Sequence, residues 1–204
     1  MGNQLILRRL PAGLDHDVFT MTLSLEDVLV STIFGTVAYG PPAMLGAWRR
    51  RFTAMRPFSP DVRFEFWPSQ RRAGGPLRAP DVFILDEPRR QALIVEAKRG
   101  TMPRPEELTR QLIEEGQAAR ATHKKVRLYL LVVSDEESEP SAFEAVHALH
   151  PRLYSSGMRH AGWTELCEFL LGWTSRPEGD AGHRRMIGDA LAVMAKYGRG
   201  PAKG

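Results

Sequence analysis

Residues 78–98 read Arg78-Ala79-Pro80-Asp81-Val82-Phe83-Ile84-Leu85-Asp86-Glu87-Pro88-Arg89-Arg90-Gln91-Ala92-Leu93-Ile94-Val95-Glu96-Ala97-Lys98. Two runs rich in apolar, β-branched and aromatic residues flank a polar linker containing proline, the pattern of a β-hairpin. With the turn centred between Pro88 and Arg89, counting outward sets Leu85 opposite Ala92, Phe83 opposite Ile94 and Asp81 opposite Glu96. Directly opposed residues on one face have Cβ atoms about 4.5–5.5 Å apart. Strand side chains alternate, so Lys98 shares the face of Glu96. Opposed like charges are destabilising, and this reading calls for a cation between Asp81 and Glu96. Mg²⁺ suits such a place, because it prefers carboxylate and carbonyl oxygens and keeps several waters. A register slip of one residue would send Asp81 to the other face. The bland alternative is an ordinary hairpin, with Asp81 at its mouth and Glu96 and Lys98 as a solvated charge pair.

Pro80-Asp81, followed after a strand-length gap by Glu96-Ala97-Lys98, resembles the signature of the PD-(D/E)XK nuclease superfamily, which includes many restriction endonucleases and DNA-repair nucleases. The motif is short and degenerate. Its weight comes from context, since Asp81 opens one apolar run and Glu96 closes the next. The family core runs helix, three-strand meander, helix, strand, and this chain parses in that order. The resemblance implies an α/β fold of restriction-endonuclease-like type, a mixed central sheet with an antiparallel meander flanked by helices. Residues 1–204 would form a single domain of that kind.

The resemblance also implies roles. Asp81, Glu96 and the main-chain carbonyl of Ala97 would hold Mg²⁺, with Mn²⁺ able to substitute. Lys98 would position or deprotonate the attacking water and offset developing negative charge. Glu26 matches the additional acid that the family often supplies from the helix before the meander, with Asp27 beside it. The competing reading of Glu26 is a first-turn acid that complements the helix dipole. Gln111, thirteen residues beyond Lys98, resembles the glutamine many members carry on the following helix, ahead of Gln117. An exposed helical glutamine is the ordinary alternative.

Composition bounds the rest. A chain of 204 residues with 43% hydrophobic content can bury one sizeable core. No apolar run approaches the roughly 20 residues needed to span a bilayer, so no membrane partner is expected. The N-terminus lacks a charged-then-apolar leader pattern, and a cytoplasmic protein is expected. Cys167 is the only cysteine; it sits in an apolar helical stretch, reads as a core residue, and excludes a disulfide within the chain. Net charge is +4, but ten arginines against five acids lie between Trp48 and Gln91. Such a basic stretch favours a nucleic acid backbone, DNA first, without encoding sequence specificity. Arg72 and Arg78, in the Gly-rich loop leading into Asp81, are the candidate phosphate contacts.

Periodicity predicts helices from Ser24 (as N-cap) to Gly40, over Ala43–Arg56, Pro103–Arg120, Ser141–His150 and Thr164–Trp173, and over His183–Tyr197. The last of these packs on the core or forms a dimer surface, core packing being the simpler reading. Strands are expected over Asp61–Trp67, Val126–Ser134 and near Arg152–Ala161, with weaker alternation over residues 3–23. On the third helix, Leu108, Leu112 and Ala119 face inward and Glu106, Glu107, Glu114 and Glu115 outward. His147 and His150 sit at a helix end without a third ligand, and the other histidines are scattered.

The leading expectation is a metal-dependent nuclease acting on phosphodiester bonds, in a defence, restriction or repair setting by family resemblance. A homodimer would suit cutting of both strands, and a protein partner could recruit or activate the site. The alternatives are a non-catalytic nucleic-acid-binding or assembly module of the same fold, and a metal enzyme acting on another phosphate.

Overall fold

A computed structural model of the chain describes residues 25–68, 71–72, 75–76, 80–98, 103–135, 140–154 and 157–196. The helices among them are α1 (Leu25–Tyr39), α2 (Pro42–Phe52), α3 (Pro105–Thr122), α4 (Pro140–Leu149), α5 (Trp163–Leu171) and α6 (Ala181–Lys196). The strands are β1 (Arg63–Phe66), β2 (Arg71–Arg72), β3 (Gly75–Pro76), β4 (Val82–Asp86), β5 (Gln91–Ala97), β6 (Arg127–Ser134) and β7 (Met158–Gly162). The protein is α/β, with a five-stranded mixed sheet in the order β1-β4-β5-β6-β7. The β1–β4 and β4–β5 pairs are antiparallel, whereas β5–β6 and β6–β7 are parallel. β2 and β3 pair with each other as a separate two-stranded piece.

The described chain divides into two compact units, one drawn from residues up to Leu45 and from Trp163 onward, the other from Gly46–Gly162. In the first, α6 packs against α1 and α5. Its buried stripe is Ile187, Ala190 and Met194, with Met186 and Leu191 half-buried. Cys167 is buried in α5.

The second unit holds the whole sheet. β5 and β6 are buried along nearly their entire length, as strands covered on both faces must be. One sheet face, with Phe83, Leu85, Ala92, Ile94, Leu128, Leu130 and Val132, shares a core with Leu108 and Leu112 of α3 and Val146 of α4. Gly116 lets α3 approach closely, since a Cβ there would lie 2.8 Å from the Tyr154 hydroxyl and 2.9 Å from the Leu153 side chain. The Tyr154 hydroxyl donates to the Leu112 carbonyl at 2.6 Å, tying the segment before β7 to α3.

The β4–β5 register matches the count from the turn, with Phe83 opposite Ile94 and Leu85 opposite Ala92. The linker residues Asp86 and Gln91, however, are buried strand residues that close the ladder. Asp86 accepts hydrogen bonds from the Ser59 N–H (3.0 Å) and hydroxyl (2.6 Å), the Gln91 amide (3.0 Å) and the Arg89 N–H (3.3 Å). Gln91 in turn accepts from the Arg56 N–H at 3.0 Å. Burial opposes ionisation of Asp86, yet these hydrogen bonds, led by that from the Ser59 hydroxyl, hold its carboxyl below the usual range.

Other boundaries shift for identifiable reasons. α2 stops at Phe52 rather than Arg56, because the Thr53 hydroxyl accepts the Met55 N–H at 3.2 Å and turns the chain out of the helix. Pro57 further disfavours a helical Arg56. The last strand begins only at Met158, since 151–154 turn and Gly157, with φ of 139°, sets the entry into β7. The loop over Ser69–Arg78 contains the short β2–β3 pair. The expected N-terminal strand over 3–23 and the Ser24 cap lie outside the described residues.

Removing the Asp86 acceptor leaves buried donors unpaired, each costing about 1–3 kcal/mol. Asp86→Ala is therefore expected to lose about 2–4 kcal/mol in urea unfolding. Glu87→Ala removes an exposed pair with Arg63 (3.1 Å) and should shift stability by less than about 1 kcal/mol.

Candidate functional site

Asp81 precedes the first paired residue of β4, and both its main chain and its side chain are used. Its carbonyl accepts the Trp67 N–H at 3.1 Å, and its carboxyl Oδ2 accepts the Ala97 N–H at 2.7 Å. The side chain thus takes the rung after Val82–Val95. Glu96 is buried one residue before the end of β5, at 2% exposure. Lys98 follows the strand, kept in line with β6 by its N–H to the Val133 carbonyl at 2.7 Å. Its Nζ reaches Glu96 Oε1.

α3 closes the site from the same sheet face. Gln111 is buried, and its Nε2 donates both to Glu96 Oε1 and, at 2.8 Å, to Glu115 Oε1. Asp81, Glu96, Lys98 and Gln111 are therefore brought together, all within the sheet-bearing unit. Glu26 lies half-buried in the first turn of α1, in the other unit. Arg72 lies in β2, and Arg78 lies outside the described residues.

Glu115 corrects the expectation of an outward-facing acid, since it is fully buried. The signal was present in the sequence. Leu108, Gln111, Leu112, Glu115 and Ala119 recur at the three- and four-residue spacing of one helix face. Ser134 and His160 also went unread. The rows Glu96–Val132–His160 and Ala97–Val133–Ala161 set both on the face of Glu96 and Lys98, at the carboxyl ends of the parallel strands. The Ser134 hydroxyl and His160 Nε2 are 2.9 Å apart.

Electrostatics follow from burial. Glu96 is pushed up to about 8, chiefly by burial and then by the charge of Glu115, against the pull of Lys98 and Gln111. Glu115 is pushed up to about 7 by burial and by Asp81, opposed by its hydrogen bond from Gln111. Burial first, then both glutamates, drives the Tyr154 phenol well above its usual range. The expected clash of Asp81 with Glu96 is thus met by N–H donors, and the like-charge neighbour that acts on Glu96 is Glu115.

Among the described residues no three His, Cys, Asp or Glu side chains cluster so as to hold a metal ion by themselves. Glu96 Oε2, Glu115 Oε2 and Gln111 Oε1 are nevertheless buried with no hydrogen-bond partner. Buried oxygens of this kind need a proton, a water or a cation. Hard oxygen donors at Asp81, Glu96 and the Ala97 carbonyl fit a divalent cation that completes its shell with water.

Arg63 is opposite Leu85, and Arg89 and Arg90 lie in the β4–β5 turn, at the end of the hairpin away from Asp81. No family model, curated protein sequence or solved structure matches the chain.

The raised glutamates set a pH dependence. A carboxyl with an ordinary value near 4.5 that rises to about 8 in the folded state binds its proton more tightly when folded. Its contribution to stability is complete below 4.5 and is lost as pH climbs toward 8. In EDTA, urea midpoints should fall between pH 5.5 and 8, and Glu115→Gln should flatten that fall. An unchanged slope in this variant would contradict the assignment.

Proposed function

We propose that the protein is a metal-dependent nuclease of the PD-(D/E)XK type, with a restriction-endonuclease-like fold, that hydrolyses phosphodiester bonds. The observation that carries the reading is the convergence of Asp81, Glu96, Lys98 and Gln111 at the carboxyl end of β5, from three separate segments. The element order supports the fold assignment, with an antiparallel β1–β4–β5 meander, then α3, then β6 parallel to β5.

A divalent cation at Asp81, Glu96 and the Ala97 carbonyl would supply charge that polarises the phosphodiester and makes a nearby water more acidic. The side chains then divide the remaining work. Gln111 and Glu115 fix the Glu96 carboxyl through the shared amide. Lys98, released from Glu96, positions the attacking water or, once it has lost its own proton to solvent, takes the water's proton; as an ammonium it offsets charge on the phosphorus oxygens. Water adds to phosphorus, the bond to one ester oxygen breaks, and that oxygen takes a proton from solvent, leaving one strand end with a phosphate and the other with a hydroxyl.

With Mn²⁺, at least one of supercoiled plasmid, linear duplex, single-stranded DNA or RNA should be cut. EDTA should abolish the cutting, and Lys98→Ala should slow it by about 10²–10⁴-fold. Full activity in Glu96→Ala would sink the site assignment.

A second reading, a non-catalytic binding module of the same fold, is favoured by one observation: the described residues lack a three-side-chain metal cluster. The two readings part in a melting experiment. The nuclease requires Mn²⁺ to raise the Tm of the wild type and not of Asp81→Ala, whereas the binding module requires no metal-dependent rise in either.

A further inference from the structure

The far end of the hairpin gathers positive charge from three segments that are distant in sequence. Arg89 and Arg90 occupy the β4–β5 turn, where the Arg90 N–H bonds the Glu87 carbonyl at 3.0 Å. Arg127, at the start of β6, donates its N–H to the Arg90 carbonyl at 2.8 Å, which brings the loop with Lys124 and Lys125 alongside. Arg56 is tied to the same end through Gln91. From α2, the Arg49 guanidinium donates to the Met55 carbonyl, next to Arg56, which sets the basic end of this helix at the same end of the sheet; burial first, then Arg50 and Arg89, lower its pKa.

These eight cations are accompanied by Asp86, Glu87 and Asp61, the last exposed between Ser59 and Arg63. Asp86 is buried and taken up by the Ser59, Gln91 and Arg89 donors, and Glu87 pairs with Arg63. With Arg63 counted beside its partner Glu87, nine positive charges against three negative leave +6 here. Among the described residues, Arg50, Arg56, Arg89, Arg90, Lys124, Lys125 and Arg127 have no ion-pair partner. Crowded, uncompensated cations repel one another and gain from an added polyanion.

We propose that this end of the sheet is a docking surface for the phosphate backbone of a nucleic acid duplex, separate from the Asp81–Glu96 site. Arginine dominates it, and its guanidinium fork matches phosphate oxygens in pairs. The main chain carrying the cations is fixed by the hydrogen bonds named above, which suits a rigid partner. A lipid surface fits poorly, because the exposed large apolar residues among the described ones, Tyr39, Leu149 and Leu171, belong to none of these segments. Backbone contact of this kind holds a duplex without reading its sequence. The inference is independent of cleavage.

The test is fluorescence anisotropy of a labelled mixed-sequence duplex with the full chain in EDTA, between 50 and 200 mM NaCl. The wild type should bind with steep salt dependence. Arg89→Glu and the Lys124→Glu/Lys125→Glu double variant should weaken binding, each lost phosphate contact lowering the log–log salt slope by about 0.9. Arg185→Glu, an exposed charge reversal on α6 outside this surface, should bind like the wild type. Polyglutamate should compete far less well than heparin.

Absence of duplex binding, or wild-type affinity in both charge-reversed variants, overturns the proposal. So does an equal loss of affinity in Arg185→Glu, which would make the binding a general charge effect rather than a property of this surface. Equal competition by polyglutamate overturns it in favour of an acidic protein partner. Since cleavage is silent in EDTA, none of these results depends on whether the metal reading holds.

Discussion

The hydrogen bonds that converge on Asp86 hold the β4–β5 register, and the geometry at the other end of the hairpin follows from that register. Ser59, Arg89 and Gln91 all donate to this one buried carboxylate, and Gln91 binds the Arg56 main chain. A slip by one residue would break this set and turn Asp81 away from the face of Glu96. Because β5 pairs in register with β6, and β6 with β7, the same constraint aligns Lys98 beside Ser134 and Glu96 with His160. Rigidity at the turn thus becomes position at the site.

At the site, the cost of burying carboxyl groups is offset by sharing donors rather than by ion pairs alone. One glutamine amide serves Glu96 and Glu115, one lysine serves Glu96, and one main-chain N–H serves Asp81. The donors do not cover every oxygen, and the uncovered ones sit on the glutamates and Gln111. A half-satisfied polar cluster is unfavourable in a core chosen only for stability. Its presence at the carboxyl ends of parallel strands, where α/β sheets commonly bind ligands, is the physical reason for proposing chemistry there.

The hairpin and its register were legible because the two apolar runs are symmetric about the turn, so simple counting sets Phe83 against Ile94. Asp86 and Gln91 were not. They look like linker residues until Ser59 and Arg56, about thirty residues away in sequence, supply their partners. Gln111 came from a resemblance, whereas the burial of Glu115 four residues later was readable from helix spacing and was missed because a glutamate is rarely placed on an apolar stripe. The arginine count pointed to a basic region between Trp48 and Gln91, but only the fold brings the end of α2, the β4–β5 turn and the loop before β6 to the same end of the sheet.

The central claim is that Asp81 and Glu96 are held together to bind a divalent cation. The most direct measurement is anomalous diffraction from crystals equilibrated with Mn²⁺. The account predicts a peak bounded by the Asp81 carboxyl, Glu96 Oε2 and the Ala97 carbonyl, with Lys98 displaced from Glu96. Saturating Mn²⁺ with no peak there, and Lys98 still bound to Glu96, would contradict it.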